Sequence, residues 1–256
     1  MELFYNKYGQ DGPPLVILHG LLGANGNWHT LSRTRFQDVA TVYAVDQRNH
    51  GRSPHTDRID YPSMAADVKR FAENHDLSSV TLLGHSMGGK TAMEAALSYP
   101  DLVDRLIVVD MAPKAYPPHH EDLLAALARI DPSEYEDREE IDDTLADDVP
   151  SWAIRQFLLK NLKYDGEGYE WTMNLEAIRT HYDKINAEIP SDRSYQGPTL
   201  FIRGEESGYV SDSDWPDIRD RFPTADLATV DGAGHWVHAD APTPFADVVV
   251  DFLSEG

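Results

Sequence analysis

The stretch "LLGHSMGGKTAMEAA", residues 82–96, places one serine in a run of small residues between two different patterns. The residues that come before the serine are apolar, as in a short buried strand. The residues from Met87 onward have the apolar spacing of a helix. Gly84 and Gly88 stand two positions before and two positions after Ser86. The stretch therefore predicts a strand, a tight turn and a helix in direct succession.

A Gly-x-Ser-x-Gly motif between a strand and a helix is typical of a nucleophile elbow, in which a sharp turn lifts the serine hydroxyl above a sheet. The positions two before and two after the serine must be small, because a Cβ atom there would collide with neighbouring backbone. The alternative interpretation is a plain glycine turn in which Ser86 caps the helix. The order of strand, motif and helix favours the elbow, with Ser86 as catalytic nucleophile.

The rest of the chain alternates short apolar runs with amphipathic stretches, which is typical of strands and crossover helices in a mainly parallel sheet. Several runs are continuously apolar, as expected of strands covered on both faces. The sequence therefore predicts an α/β fold. The predicted strands are residues 3–8, 15–18, 41–45, 80–83, 106–109, 199–202 and 226–230, and the predicted helices are residues 28–36, 63–75, 87–98, 212–221 and 244–253.

Residues 114–196 interrupt this alternation. They are rich in Glu, Asp, Leu and Ala at helical spacing, and we expect no strand among them. Since a loop of this length is uncommon inside a compact domain, we predict an inserted helical cap, or lid, over one end of the sheet. The hydrolase core is then predicted to comprise residues 1–113 and 197–256, with residues 191–198 as the return linker.

A serine hydroxyl becomes a good nucleophile when a base removes its proton, so the elbow predicts a histidine later in the chain. His235 lies in a glycine-containing turn between the last predicted strand and the last predicted helix, where the chain order Ser, acid, His places the base. His238 is the alternative, and His85 is predicted to pack under the elbow. Six further histidines are predicted to lie at the surface: His29, His55, His75, His119, His120 and His181.

The base in turn needs an acid that holds its tautomer. Asp110 directly follows the apolar run 106–109, so it emerges at the carboxyl edge of the strand after the elbow. The loop after the next predicted strand is where many such hydrolases carry an aspartate, but Ser207 occupies that position here. This difference favours Asp110 over the alternatives, Glu206 and the cap residue Glu176.

An oxyanion hole needs two hydrogen-bond donors, one of which is the backbone N–H that follows the nucleophile, here that of Met87. The segment "HGLLG", residues 19–23, follows a predicted strand, and its glycines allow the backbone to turn inward. The second donor is predicted to be Leu21, with Leu22 as the alternative. The loop "DQRNHGRS", residues 46–53, is predicted to be tight, internally hydrogen-bonded and supportive of the site.

The composition excludes several functional classes. The chain has 44 acidic and 22 basic residues, a net charge of −22, which repels nucleic acid and anionic membranes. Cysteine is absent, which excludes disulfides and thiolate metal sites. The sequence contains no run near the roughly 20 apolar residues of a membrane span and opens with no secretory signal pattern, so we predict a cytoplasmic protein. The acidity also fits adaptation to high salt.

The sequence contains no motif that indicates a metal or a cofactor. The glycine-rich loops lack both the phosphate-binding and the dinucleotide-binding patterns. The pair His119-His120 lacks partners at metal-ligand spacing. We therefore predict a reaction that uses the side chains and backbone of the chain alone.

Four segments together resemble the α/β-hydrolase superfamily: residues 19–23, residues 46–53, "GHSMGGK" at 84–90 and "GAGHWVH" at 232–238. The resemblance extends over nearly the whole chain and is nearest to the YbfF-type esterases and their abhydrolase-domain relatives. It implies a carboxylesterase or acyl-thioesterase with a helical lid. It also implies that the acid is Asp110.

These features predict a serine hydrolase of small-molecule acyl esters or thioesters, acting as a monomer or small homo-oligomer. His235 and Asp110 activate Ser86, which attacks the acyl carbonyl. The backbone N–H groups of Leu21 and Met87 hold the oxyanion. The alternatives are a cofactor-free hydrolase or lyase of carbon–carbon bonds and a ligand receptor with slow turnover. Apolar cap residues either line an acyl pocket or pack within the cap: Trp152, Phe157, Leu158, Leu159 and Trp171.

Overall fold

A mostly parallel sheet forms the centre of this computed structural model, which describes residues 1–190 and 192–254. Ser191, at the start of the predicted return linker, and residues 255–256, at the end of the predicted core, lie outside the described residues. The strands in chain order are β1 (Tyr5–Tyr8), β2 (Pro14–Leu18), β3 (Thr41–Val45), β4 (Val80–His85), β5 (Val103–Val109), β6 (Leu162–Tyr164), β7 (Tyr169–Trp171), β8 (Thr199–Gly204) and β9 (Ala225–Val230).

In the described residues this sheet has seven strands in the order β1-β3-β2-β4-β5-β8-β9. Strand β1 is antiparallel to β3, and the other neighbouring pairs are parallel. The carboxyl ends of β2, β4, β5 and β9 therefore lie at one edge of the sheet, and the loops that carry the predicted site residues follow them. This topology confirms the predicted α/β class.

The helices flank the sheet and fill the segment between β5 and β8. No helix within residues 1–190 and 192–254 has the length and apolarity needed to cross a membrane. In chain order the helices are α1 (His29–Thr34), α2 (Tyr61–Asn74), α3 (Met87–Ser98), α4 (Glu121–Ala128), α5 (Arg138–Ala146), α6 (Trp152–Leu158), α7 (Leu175–Thr180), α8 (Tyr182–Asn186), α9 (Trp215–Arg221), α10 (Val237–Asp240) and α11 (Pro242–Ser254).

The segment between β5 and β8 differs from the prediction in one respect. We expected no strand there, but β6 and β7 form an antiparallel hairpin. Each strand has three residues, which is too short for period-two alternation to stand out in the sequence. The local signal was the turn between them, where the Asp165 carboxylate accepts hydrogen bonds from the N–H groups of Glu167 (2.9 Å) and Gly168 (3.1 Å).

Successive residues of the central strands pack into two apolar layers, one on each face of the sheet. In β4, Leu82 joins the layer that contains Phe71 of α2, and Leu83 joins the layer that contains Phe245 of α11. Strand β5 repeats this division, because Val108 and the residue after it face opposite layers. The continuous apolar runs thus reflect burial on both faces, as predicted.

The inserted segment is hydrogen-bonded to loops at the carboxyl edge of the sheet. The Asn161 side chain donates to the carbonyl of Leu22 (2.8 Å), and the Asn174 N–H donates to the carbonyl of Asn49 (2.9 Å). Helix α8 ends against α3, where the Lys90 ammonium donates to the carbonyl of Ala187 (2.6 Å). These contacts fix α4–α8 and the hairpin over the edge that carries the predicted site residues.

The approach of α3 to the sheet leaves no room for side chains at two glycines. A Cβ atom on Gly88 would lie 2.3 Å from the carbonyl oxygen of Leu18 and 2.6 Å from that of His19. A Cβ atom on Gly84 would lie 2.1 Å from the carbonyl oxygen of Gly88. The backbone clearance expected of an elbow is therefore present at both flanking positions.

Gly88→Ala is expected to lower thermal stability sharply, because the new methyl group meets backbone atoms that cannot rotate away. The free energy of unfolding should fall by at least about 1–3 kcal/mol, the range typical of overpacked cores. Gly26→Ala is the matched control, since a Cβ atom there meets nothing within 4 Å. Thermal unfolding followed by circular dichroism compares the two variants, and equal melting temperatures would contradict this account of the elbow.

Candidate active site

Ser86 stands at the turn between β4 and α3 in a rarely populated backbone conformation. Its φ is 54° and its ψ is −118°, which a non-glycine residue adopts only when its surroundings hold it there. The Ser86 N–H donates to the carbonyl of Val109 at the end of β5 (3.1 Å), and the Ser86 carbonyl accepts from the Lys90 N–H in the first turn of α3 (3.1 Å). The turn has the local geometry that the Gly-x-Ser-x-Gly motif predicts.

His235 follows β9 and lies against the acid predicted from β5. Its Nδ1 is 2.7 Å from a carboxylate oxygen of Asp110. Because a carboxylate only accepts, Nδ1 carries the proton and donates it, which leaves Nε2 as the basic nitrogen of the neutral ring. The Tyr209 ring stacks on the imidazole, with the centroids 3.8 Å apart and the planes at 16°.

Asp110 is fully buried and receives three hydrogen bonds from two segments of the chain. Besides His235, its carboxylate accepts from the Gly204 N–H at the end of β8 (3.1 Å) and from the hydroxyl of Ser207. Its own backbone has a φ of 51°. Ser207 occupies the position where an aspartate was expected, and its hydroxyl is a direct hydrogen-bond partner of the Asp110 carboxylate. No pattern in the sequence indicated this role.

The alternative acids do not take the place of Asp110 beside His235. Glu206 and Glu176 are both exposed side chains. The alternative base, His238, stacks on Trp28 with the ring centroids 4.4 Å apart. The structure thus brings His235 to Asp110, and it places His238 behind the site.

The residues predicted to form the oxyanion hole share a cavity with the serine. Leu21, Ser86 and Met87 line one small cavity. The N–H of Leu22, the alternative donor, points elsewhere, since it donates to Nε2 of His50 (3.2 Å). This geometry favours Leu21 over Leu22.

The loop at residues 46–53 supports the turn that carries Leu21, as the sequence predicts. His50 accepts from this turn and donates through Nδ1 to the carbonyl of Arg48 (3.0 Å). The Asp46 carboxylate accepts from the N–H and the side-chain amide of Asn25, both at 2.7 Å. The loop therefore fixes the backbone of the predicted oxyanion hole through a neutral imidazole and a buried carboxylate.

The buried His85 and His50 and the partly buried His238 surround the site in the neutral form. Burial holds the pKa of His85 well below its ordinary value, and the neighbouring His235 and His238 lower it further. Burial, together with His235, lowers the pKa of His238 from 6.5 to about 3. Burial and the nearby His19 lower the pKa of His50 to about 3. His85 donates through Nε2 to the carbonyl of His235 (2.9 Å) and so holds the backbone of the base, and it lines the large cavity together with Ser86.

His120 corrects the prediction that it lies at the surface. It is partly buried, and its backbone N–H and its Nδ1 both lie 2.9 Å from the hydroxyl of Tyr182. Burial lowers its pKa, and His235 and His119 lower it further. Its position beside the cavities around Ser86 follows from the path of the inserted segment, which the local sequence does not encode.

A cavity of about 580 Å³ opens beside Ser86 and His235. Its wall combines core residues with side chains of α6 from the inserted segment. Of the apolar cap residues named above, Trp152, Phe157 and Leu158 line it. Leu159 is buried, and the Trp171 indole donates to the carbonyl of Ile130 within the insertion.

The family of the chain follows from comparison with known proteins. A family model described as the alpha/beta hydrolase fold matches residues 13–242, which is most of the chain. The chain therefore belongs to the α/β hydrolases, and its sheet order, elbow and inserted helices are those of a member of that family. The resemblance inferred from the sequence motifs is confirmed.

Individual relatives cover nearly all of the chain. The sn-1-specific diacylglycerol lipase ABHD11 of Danio rerio is 39% identical over 250 residues, which is 95% of this chain and 79% of that protein. Esterase YbfF of Escherichia coli strain K12 is 33% identical over 248 residues, 96% of this chain and 94% of that protein. A solved structure described as a marine microorganism esterase has 43% identity and a TM-score of 0.95, and the match covers 98% of this chain and 99% of that one.

Acidification is expected to destabilise the fold, because His50 and His238 have folded-state pKa values of about 3. Between pH 6.5 and that value the unfolded chain binds protons that the folded chain does not, so the free energy of unfolding falls as the pH drops. Each of these histidines should lower the free energy of unfolding by about 2 kcal/mol between pH 7 and pH 5.

His238→Phe keeps an aromatic ring on Trp28 and removes one of the two groups. The loss of unfolding free energy from pH 7 to pH 5 should then shrink by about 2 kcal/mol in urea titrations. His29→Gln, at an exposed position, is the control and should leave the loss unchanged. A variant at His238 with the pH dependence of the native chain would contradict the neutral, buried state of this ring.

Proposed function

We propose that this chain hydrolyses carboxylic esters or acyl thioesters through a covalent acyl-enzyme formed on Ser86. One observation carries the proposal: His235 is hydrogen-bonded to the buried Asp110 and lines the same cavity as a serine held in an elbow turn. The esterase and lipase names of the relatives support an ester as the substrate. We propose no metal or cofactor in the reaction.

The proposed reaction uses each group according to its geometry. Asp110 fixes the His235 tautomer, so that Nε2 takes the proton of the Ser86 hydroxyl as the oxygen attacks the acyl carbonyl. The N–H groups of Leu21 and Met87 stabilise the negative charge that develops on the carbonyl oxygen. His235 then protonates the departing alkoxide or thiolate. Water enters the acyl-enzyme by the same route in reverse and releases the acid.

We further propose that residues 114–196 act as a lid and that residues 1–113 and 197–256 form the catalytic core. The position of α6 over the large cavity supports this division, because Trp152 and Phe157 contribute to its wall. A lid of this kind limits the shape of the substrate and excludes water. The cytoplasmic location and the oligomeric state stay predictions from the sequence.

Ser86→Ala should abolish hydrolysis of p-nitrophenyl acetate, and Asp110→Asn should lower kcat by roughly 10³–10⁴, because it disturbs the tautomer of the base. Glu206→Gln is the matched control, since this carboxyl is exposed, and it should retain native activity. Steady-state kinetics with the ester and with acetyl thioesters measures both effects.

Equal losses of activity in the variants at Asp110 and Glu206 would contradict the assignment of Asp110 as the acid. Absence of ester turnover in the native chain would favour the carbon–carbon hydrolase or the receptor.

We also propose that the acidic surface is an adaptation to high salt. The net charge of −22 includes a dense acidic stretch at residues 131–148, where Glu139, Glu140 and Asp143 are exposed. Salt screens the mutual repulsion of such charges.

The melting temperature should therefore rise between dilute buffer and molar KCl. A variant with lysine at Glu139, Glu140 and Asp143 should show a smaller rise, because it carries less repulsion to be screened. Thermal unfolding across a KCl series measures both. A flat response of the native chain would contradict the salt adaptation.

A further inference from the structure

Two cavities of very different size meet at Ser86. The larger has a volume of about 580 Å³, and the smaller has a volume of about 30 Å³. Leu21 and His120 line both of them together with the serine. A volume of about 30 Å³ holds about two water-sized groups, whereas a volume of about 580 Å³ accommodates an extended apolar chain.

The residue that protonates the leaving group and the residue that binds the oxyanion line different cavities. His235 lines the large cavity and is not among the described residues that line the small one. Met87, the predicted oxyanion donor from α3, lines the small cavity. Tyr209 lines the small cavity and stacks on His235 with the ring centroids 3.8 Å apart.

The side on which the base lies determines how an ester must bind. His235 has to protonate the leaving oxygen or sulfur, so the leaving group must lie on the side of the large cavity. The oxyanion points to the N–H groups of Leu21 and Met87. The fourth substituent of the tetrahedral carbon is the acyl chain. The part of the small cavity that lies beyond the two donors, along Met111 and Ile185, is the space that remains for it.

Hydrogen bonds between the core and the inserted segment hold together the wall of the small cavity that faces α8. The Tyr61 hydroxyl donates to the carbonyl of Ile185 in α8. The Lys90 ammonium donates to the carbonyls of Ala187 (2.6 Å) and Asn186 (3.2 Å). Lengthening the cavity would break these bonds and leave a buried ammonium without its acceptors, which is costly. A long alkyl chain is therefore excluded from this side.

The large cavity has the opposite character. Its walls include Trp28 and Leu31 from the core, Trp152 and Phe157 from α6, and Trp236 beside the base. The rings of Phe157 and Trp236 pack with their centroids 5.2 Å apart, so core and insertion meet in an apolar surface. Trp152 remains 66% exposed, which places it at the mouth.

We infer that the enzyme selects esters or thioesters that join a short acyl group to a long apolar alcohol or thiol. The inference rests on the proposed function and deepens it, because it assigns the acyl side and the leaving-group side of the same serine.

Hexyl acetate and ethyl hexanoate test this inference directly, because they are isomers that differ in which side of the ester carries the long chain. Acid release in a pH-stat measures both reactions in the same way. The inference expects kcat/KM for hexyl acetate to exceed that for ethyl hexanoate by at least about tenfold, the scale of steric discrimination between pockets.

Two variants assign the preference to the two cavities. Ile185→Val and Ile185→Ala enlarge the small cavity while the backbone carbonyl that Tyr61 contacts is retained, so they should raise kcat/KM for ethyl hexanoate relative to hexyl acetate. Trp152→Ala removes wall from the large cavity and should raise KM for hexyl acetate more than KM for ethyl hexanoate, whose ethanol leaving group is small. The valine variant keeps the test informative where the alanine variant folds poorly.

The outcomes separate this inference from the function on which it rests. Faster hydrolysis of ethyl hexanoate, lost in Ser86→Ala, would overturn the inference and leave the proposed esterase intact. Hydrolysis of p-nitrophenyl acetate without hydrolysis of hexyl acetate would also overturn the inference. Failure to hydrolyse any of the three esters would overturn the proposed function and the inference with it.

Discussion

The burial of the Asp110 carboxylate is the constraint on which the rest of the site depends. A buried carboxylate is unfavourable unless it is paired and hydrogen-bonded. Here three donors come from the two segments that follow the neighbouring strands, namely Gly204 and Ser207 at the end of β8 and His235 after β9, while Asp110 itself follows β5. Satisfying one buried charge therefore fixes the relative positions of three loops at the carboxyl edge of the sheet.

The position of the serine depends on a second constraint, the close approach of α3 to β2. Gly88 lets the helix rest against backbone carbonyls of the neighbouring strand, and the turn that results holds Ser86 at a φ of 54°. The same approach brings Met87 and Leu21 to one small cavity. Backbone packing thus positions the nucleophile and the predicted oxyanion donors together, while the buried carboxylate positions the base.

Much of this arrangement is encoded locally and was predictable from the sequence. The Gly-x-Ser-x-Gly motif specifies its own turn, Asp110 directly follows the visible apolar run of β5, and His235 lies in the glycine-containing turn after β9. The remaining features depend on contacts between distant segments. The hydroxyl of Ser207 reaches a carboxylate 97 residues away in the chain, and the ring of His50 accepts from the Leu22 N–H 28 residues away. Neither partnership has a local pattern, and the partial burial of His120 likewise follows from the path of the inserted segment.

Labelling with a fluorophosphonate decides whether Ser86 is the activated nucleophile of this chain. Such a probe reacts with a serine whose proton is removed by a neighbouring base, and it leaves a covalent mass increase that peptide mapping assigns to one residue. We expect a single adduct per chain, located on Ser86, with none in Ser86→Ala. An adduct on another residue, or undiminished labelling of that variant, would contradict this assignment.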